Sequence, residues 1–588
     1  MQREKMKKIL KRNVGALLTG NGVEVRLWAP KVSEVSVLWG DGEKRALQKD
    51  GEGYHAGFFE HVREDELYQF HLHDCDKTIP DPASRFQPED AFASSRVVGE
   101  DFPWKDGAWR GLPFSEWVIY EVHVGTFSGS HDFSGIIDDL PRLKELGVNV
   151  IELMPVAQFP GNRNWGYDAV FPFAVQHSYG GPRALKELVN ACHTQGMAII
   201  LDVVYNHLGP EGNVFDLCGP YTKQDSSMLW GHPLNFDDKG SDHVRHFFLQ
   251  NMQQWLLEFH FDGLRLDAVD AIQDASAIPF LEEALLLAKK AEVLRGYPLP
   301  IIAESSANDP RNLDVQRPPG FFAQWSDDFH HALHATLTGE RNGYYADYGG
   351  LSQLAHIYRR GVLFEGQYSV YQDRRHGRAY ENVPHANLIV FSQNHDQVGN
   401  RDDGARLAAL AGRKKARLAA AAVLLSPFTP LLFMGEEWGA TKPFHYFLCF
   451  QDKELIKDSK KGRRQEWASF RWAEAPPDPV AAETFFQSVL ADKAQMCRKN
   501  ADMVSYYRQL IRLSKRIRRQ TEMKVVHDED HDLIWIYYIL PEEKLAVCLS
   551  FAAETQALKP EGGPWRTLLG GEKTIDAYSA CVLQDRLP

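Results

Sequence analysis

Eight short apolar runs separated by amphipathic stretches constrain this chain more than any other feature. They lie at 117–124, 148–156, 197–204, 261–269, 299–304, 322–329, 387–394 and 430–437. Each is apolar along most of its length rather than alternating, as parallel strands covered on both faces must be. Between several of them, apolar residues recur at helical spacing, at 136–146, 183–195 and 243–259. Eight strands alternating with helices over roughly 330 residues predict an α/β fold built on a (β/α)8 TIM barrel. The long stretch after the third run, 206–238, is rich in turn residues and predicts a lobe over the barrel mouth.

The flanks read differently. The first 110 residues alternate in short runs (23–30, 34–39, 68–72) with Gly-Asp and Gly-Glu turns between them, which predicts a small β-sandwich. After the barrel, a helical stretch at 503–519 precedes strand-like runs at 533–538, 545–549 and 565–569. The expected division is 1–110 for the sandwich, 111–500 for the barrel with its inserted lobe, and 501–588 for a C-terminal helix and β domain. Net charge is -13, with acidic and basic residues mixed along the chain, so nothing suggests a nucleic-acid or membrane partner. Seven scattered cysteines form no CxxC pair, which argues against a disulfide framework or a zinc site. The basic start (Arg3, Lys5, Lys7, Lys8, Lys11, Arg12) is followed by too short an apolar piece for a secretory signal, and no run is long enough to span a bilayer. A cytoplasmic enzyme is the expectation.

Polar residues stand where a barrel enzyme needs them, at the C-terminal ends of the runs. The third ends in Asp202-Val-Val-Tyr-Asn-His207, the fourth carries Arg265-Leu-Asp267, the fifth ends in Glu304 and the seventh in Asn394-His-Asp396. Three carboxylates with Arg and His at one mouth suit glycoside hydrolysis, in which one carboxylate attacks the anomeric carbon and another protonates the leaving oxygen. A cation such as Arg265 would keep the attacking group ionised, while the acid needs burial or nearby negative charge to stay protonated. Taken singly, each residue has a plain reading as a helix cap, an ion-pair partner or a hydrogen-bonded histidine. Taken together, at the ends of four separate strands, they favour chemistry.

These four segments resemble the signature segments of glycoside hydrolase family 13, the α-amylase clan, in order and spacing. The resemblance implies that Asp267 is the nucleophile, Glu304 the general acid/base and Asp396 the third acid, which binds sugar hydroxyls. It implies that Arg265 orients Asp267, that His207 and His395 bind hydroxyls at the cleavage point, and that Tyr167 stacks under the same sugar. It makes Asp202 and Asn206 supports of the strand-three loop. Retention of configuration, the rule for this family, would place Asp267 and Glu304 about 5–5.5 Å apart. No EF-hand-like loop is present, and the resemblance implies neither an essential metal nor a cofactor.

Other segments are similar to the trehalohydrolase branch of that family: Pro155-Val-Ala-Gln-Phe-Pro-Gly161, His207-Leu-Gly-Pro-Glu-Gly-Asn213, Ala323-Gln-Trp-Ser-Asp-Asp-Phe-His-His331 and Phe433-Met-Gly-Glu-Glu-Trp-Gly439. That likeness implies hydrolysis of the α-1,4 bond next to the trehalose end of a maltooligosyltrehalose, an α-1,4-glucan substrate supplied by a maltooligosyltrehalose synthase. Trp230, Trp325, Asp327, Asp328 and His330 are the candidates for shaping the trehalose side. Two departures fall near the expected cleft: Asp270, where the branch has a histidine, and Phe447-Leu-Cys-Phe450, which replaces a Thr-Asp-His-type segment. Competing readings on the same scaffold are a glucan-branching transferase, an isoamylase-like debrancher and an inactive carbohydrate-binding protein.

Overall fold

The computed structural model of the chain describes residues 12–226, 228, 230–314, 320–470 and 476–586. The basic residues Arg3, Lys5, Lys7, Lys8 and Lys11 lie outside them. All eight apolar runs contain a parallel strand: β1 (Ile119–Val122), β2 (Val150–Leu153), β3 (Ala198–Val203), β4 (Leu264–Leu266), β5 (Ile301–Ala303), β6 (Ala323–Trp325), β7 (Leu388–Val390) and β8 (Thr429–Phe433). They pair in chain order, and β1 closes on β8 through Ile119 opposite Leu431, so the sheet is a closed barrel. Its interior is packed in layers. Trp117, Ile119, Val150, Ile200, Ile302, Ile389 and Leu431 form a dry apolar floor. One rung higher the inward positions turn polar: Glu121 on β1 stands beside Glu152 on β2, and Asp202 on β3 beside Arg265 on β4. On β1, β2 and β3 the inward positions thus change from apolar to ionisable towards the C-terminal mouth.

Sheets flank the barrel on both sides in the chain. Before it, one antiparallel sheet joins Gly15–Thr19, Gly22–Trp28, Tyr54–Glu60 and Gln48–Lys49, and a second is built on Val35–Trp39 and Leu67–Leu72. The connecting segment is pinned near the N-terminal end of β4, where Trp109 Nε1 donates to Asp262 Oδ1 at 2.7 Å and stacks on His193. After the barrel, helix Ala501–Ile517 packs against the turn that ends helix Leu140–Leu146. That turn is Gly147 at φ +111°, and a Cβ there would come within 2.7 Å of Ile511. A five-stranded antiparallel sheet of Glu522–Asp528, Leu533–Ile539, Glu543–Ser550, Ser579–Arg586 and Arg566–Leu569 follows. Among the described residues no helix is long and apolar enough to cross a membrane.

One buried ion pair ties the closing strands together. Glu437, fully enclosed after β8, accepts from Tyr120 OH on β1 at 3.0 Å through each oxygen and from Arg142 Nη1 at 2.7 Å. Removing one partner of such a pair strands the other's charge in a low dielectric. Arg142→Ala should therefore cost about 3–5 kcal/mol, measured by chemical denaturation of the purified protein. A loss below about 1 kcal/mol would mean that Glu437 finds other solvation.

Candidate active site

Asp267 and Glu304 are each held by a neighbour from another strand. Asp267 follows β4, and its Oδ1 accepts from Arg265 Nη1 at 2.9 Å while Oδ2 accepts from Asn206 Nδ2 at 2.8 Å. Arg265 is fully buried, and the same Nη1 also donates to Asp202 Oδ2 at 2.6 Å. Its guanidinium lies over the Trp325 ring, 4.3 Å from the centroid. The residue after Asp267 is Ala268, at φ +38° and ψ +57°, a left-handed conformation that costs a side-chain-bearing residue about 1–2 kcal/mol. That turn aims the Ala268 N–H at Glu304 Oε2, 2.7 Å away. Arg265 Nη2 lies 2.8 Å from the same oxygen, an ion-pair contact rather than an aligned hydrogen bond.

Glu304 is thus approached on Oε2 by two N–H donor groups, which leaves Oε1 as the oxygen that can carry a proton. Burial pushes its pKa well above the ordinary carboxyl range, and Asp267 and Asp396 add to this against the pull of Arg265. A proton-bearing carboxyl beside a cation-held carboxylate is the pairing that acid-assisted displacement at an anomeric carbon requires. A single guanidinium touches both groups.

The opposite wall is built by His395 and Asp396 after β7. Glu121 grips His395 twice, accepting from its N–H at 3.0 Å and from Nδ1 at 2.5 Å. His395 Nε2 faces Tyr167 OH at 2.8 Å and Asp396 Oδ2 at 3.4 Å, and Tyr167 OH in turn donates to Asp202 Oδ2 at 2.6 Å. Burial alone would make this imidazole neutral, but Asp396 and Glu121 raise it to about 9, so it is a cation donating from both nitrogens. Tyr167 stacks on it, the ring centroids 5.2 Å apart. Asp202 is pushed up to about 6 by burial, with Asp267 adding and Arg265 opposing.

These groups open on a cavity of about 970 Å³, lined by Asp267, Glu304, Asp396, Tyr167 and His207. Its size is near the upper end for ligand pockets and suits several sugar rings rather than one. Two of the other sequence candidates line it as expected: Trp230, 48% exposed and stacked on His207, and Asp327, which burial, Asp396 and Asp328 push up to about 7. Three behave differently. Trp325 is buried in the barrel interior beneath Arg265, because it shares the inward face of β6 with Ala323. His330 faces inward from helix Asp327–Thr338, stacked on Phe391 and His334, and burial keeps it neutral. Asp328 borders the cavity, but its carboxylate is occupied: Tyr348 OH donates to Oδ1, while Asn308 Nδ2 (2.7 Å) and Leu363 N (2.6 Å) donate to Oδ2. Trp325 and His330 do not border the cavity, and Asp328 borders it with its carboxylate held by protein donors.

Of the two departures, Asp270 is held by Ser305 Oγ at 2.9 Å and does not border the cavity, whereas Phe450 does. Phe447 is buried against His123 and Phe485. The sequence reading missed Tyr344, Tyr348, Tyr371, Tyr446 and Arg463, which complete the rim from loops and from helix Lys453–Phe470. It also missed Glu121 and Glu152, although an acid inside an apolar strand run was a visible signal.

The chain is similar to known proteins along most of its length. Residues 106–230 match the α-amylase catalytic-domain family. The chain is 43% identical to the malto-oligosyltrehalose trehalohydrolase of Saccharolobus solfataricus over 503 residues, 85% of this chain and 86% of that one. It is 41% identical to the enzyme of the same name from Arthrobacter ramosus, covering 84% and 87%. A crystal structure from Salmonella typhimurium, described as a candidate α-amylase, superposes with a TM-score of 0.90 at 34% identity, over 98% of this chain and 100% of that one.

Proposed function

The chain belongs to the malto-oligosyltrehalose trehalohydrolase family of α-amylase-type glycoside hydrolases, and from that premise we propose how its site works. It acts on an α-glucan with a trehalose end, and hydrolyses the α-1,4 bond next to that end to release trehalose and a maltooligosaccharide. Asp267 attacks the anomeric carbon while the Oε1 proton of Glu304 passes to the departing trehalose oxygen, breaking the C1–O bond. Glu304, now a carboxylate, then takes a proton from water. The water oxygen bonds to C1 and Asp267 departs, which restores the α configuration. Asp396 binds hydroxyls of the sugar at the cleavage point, Tyr167 stacks beneath it and His207 lines its edge, while the buried His395, with both N–H groups taken by Glu121 and Tyr167, holds the Tyr167 wall rather than the sugar itself. Trp230 and Asp327 shape the trehalose side.

The observation that carries this reading is the single buried Arg265 guanidinium in contact with both Asp267 and Glu304. It fixes the attacking carboxylate in place, and together with the Ala268 N–H it directs the acid's proton to the outer oxygen. The substrate comes from a maltooligosyltrehalose synthase, and the reaction takes place in the cytoplasm. We further assign 1–110, 111–500 and 501–588 as the three domains. Chromatography of products from maltotriosyltrehalose, with maltopentaose and amylose as controls, tests the reading. Trehalose and maltotriose should form, with maltopentaose cleaved far more slowly. New α-1,6 branches on amylose without free trehalose would assign a transferase instead.

A further inference from the structure

Beneath the reacting groups lies a cluster of polar atoms that the mechanism above does not use. Both carboxyl oxygens of Glu152 are buried and unpartnered, as are Asp202 Oδ1, Arg265 Nε and Trp325 Nε1. They belong to one layer. Glu152 on β2 pairs with Ile200 on β3, so Asp202, two residues on, is its diagonal neighbour on the inward face. Arg265 is the register partner of Asp202, and its guanidinium covers Trp325. Buried polar atoms are rarely left unsatisfied, and a water needs two to four polar partners, which this layer supplies.

We propose that Glu152 is a neutral carboxylic acid that, through one or more internal waters, binds Asp202 Oδ1 and Arg265 Nε, and so acts as a positioning residue for the Arg265–Asp267–Glu304 unit. The reasoning is one of charge and hydrogen-bond capacity. The groups facing Glu152 are Glu121 from β1, Asp202 from β3, Arg265 from β4 and His395 from beyond β7. Glu121 and Asp202 already use the two cations, and Asp267 and Asp396 add further negative charge above them. Another carboxylate in this layer would be uncompensated, and burial with Glu121 drives Glu152 strongly towards its protonated form. As an acid it supplies the donor that Asp202 Oδ1 lacks, and its carbonyl oxygen accepts for Arg265 Nε through water.

The proposal builds on the assigned roles of Asp267 and Glu304, and its test separates the two. Glu152→Gln keeps both a donor and an acceptor and removes no charge. Its kcat should stay within about threefold of wild type, and its pH–kcat profile should superpose. Glu152→Leu removes both and should lower kcat by about 10²-fold through misplacement of the guanidinium, with KM nearly unchanged. The infrared difference between wild type and Glu152→Gln should show loss of the C=O band of a protonated, buried carboxylic acid. A pH profile displaced in Glu152→Gln, or no such band, would overturn the proposal by showing an ionised Glu152. So would a Glu152→Leu enzyme as fast as wild type. If Glu152→Leu does not fold, the glutamine variant's profile and the infrared band decide alone. Neither readout depends on Asp267 being the nucleophile.

Discussion

Asp267→Ala should lower kcat on maltotriosyltrehalose by at least about 10⁴-fold, the scale on which loss of a covalent nucleophile is felt. The effect should fall on turnover. KM should stay near the wild-type value, since the substitution leaves Tyr167, Asp396 and the rim in place. Folding should survive too, because Asp267 makes its contacts at the mouth rather than in the apolar floor, and Arg265 keeps Asp202 and Glu304. Azide gives the sharper form of the test. It is small enough to enter the space vacated by the carboxylate and can attack C1 from the same face. With Glu304 still able to protonate the trehalose oxygen, rescued turnover should yield a β-glycosyl azide and free trehalose. An Asp267→Ala enzyme within tenfold of wild type would remove the nucleophile assignment.

Glu304→Gln should lose about 10²–10⁴-fold in kcat, the range of general acid catalysis. Because burial and two neighbouring carboxylates raise this group, it is protonated and active below its displaced pKa. It loses its proton, and the enzyme its acid, as pH rises through that value. The wild-type kcat should therefore fall on the alkaline side, and that limb should be absent in Glu304→Gln. Maltosyl fluoride bypasses the defect, since fluoride leaves without a proton. The glycosylation half-reaction should then recover most of the loss, with the remainder traceable to the base that activates water. A glutamine variant with the alkaline limb intact would place the titrating acid elsewhere, and Asp327, pushed up to about 7 in the same cleft, would be the group to examine next.

The barrel and the strand ends that bring three acids to one mouth were legible because both rest on strand order. An apolar run that ends in an acid states where a strand is and which end is the mouth. Asp267, Glu304 and Asp396 all line the cavity. The strands themselves are shorter than the runs, three residues in β4, β5, β6 and β7, since only the stretch in mutual register forms the ladder. The likeness of segment 323–331 to the trehalohydrolase branch suggests cleft positions for Trp325 and His330. Yet strand alternation turns Trp325 into the barrel beside Ala323, and helical spacing pairs His330 with His334 on the buried side. Of the rim, Trp230 and Asp327 could be read and the rest could not. Tyr344, Tyr371, Tyr446 and Arg463 come from loops and a late helix with no periodicity tying them to the mouth, and only the closed fold brings them together.

The stereochemistry of the first turnover bears most directly on the catalytic roles. Proton NMR of maltotriosyltrehalose digestion, followed before mutarotation, reports which anomer of maltotriose is released alongside trehalose. Double displacement through Asp267 with Glu304 as acid and base predicts the α-anomer first, decaying to the equilibrium mixture. The β-anomer first would mean a single displacement by water, and would contradict both Asp267 as nucleophile and Glu304 as the acid that turns base.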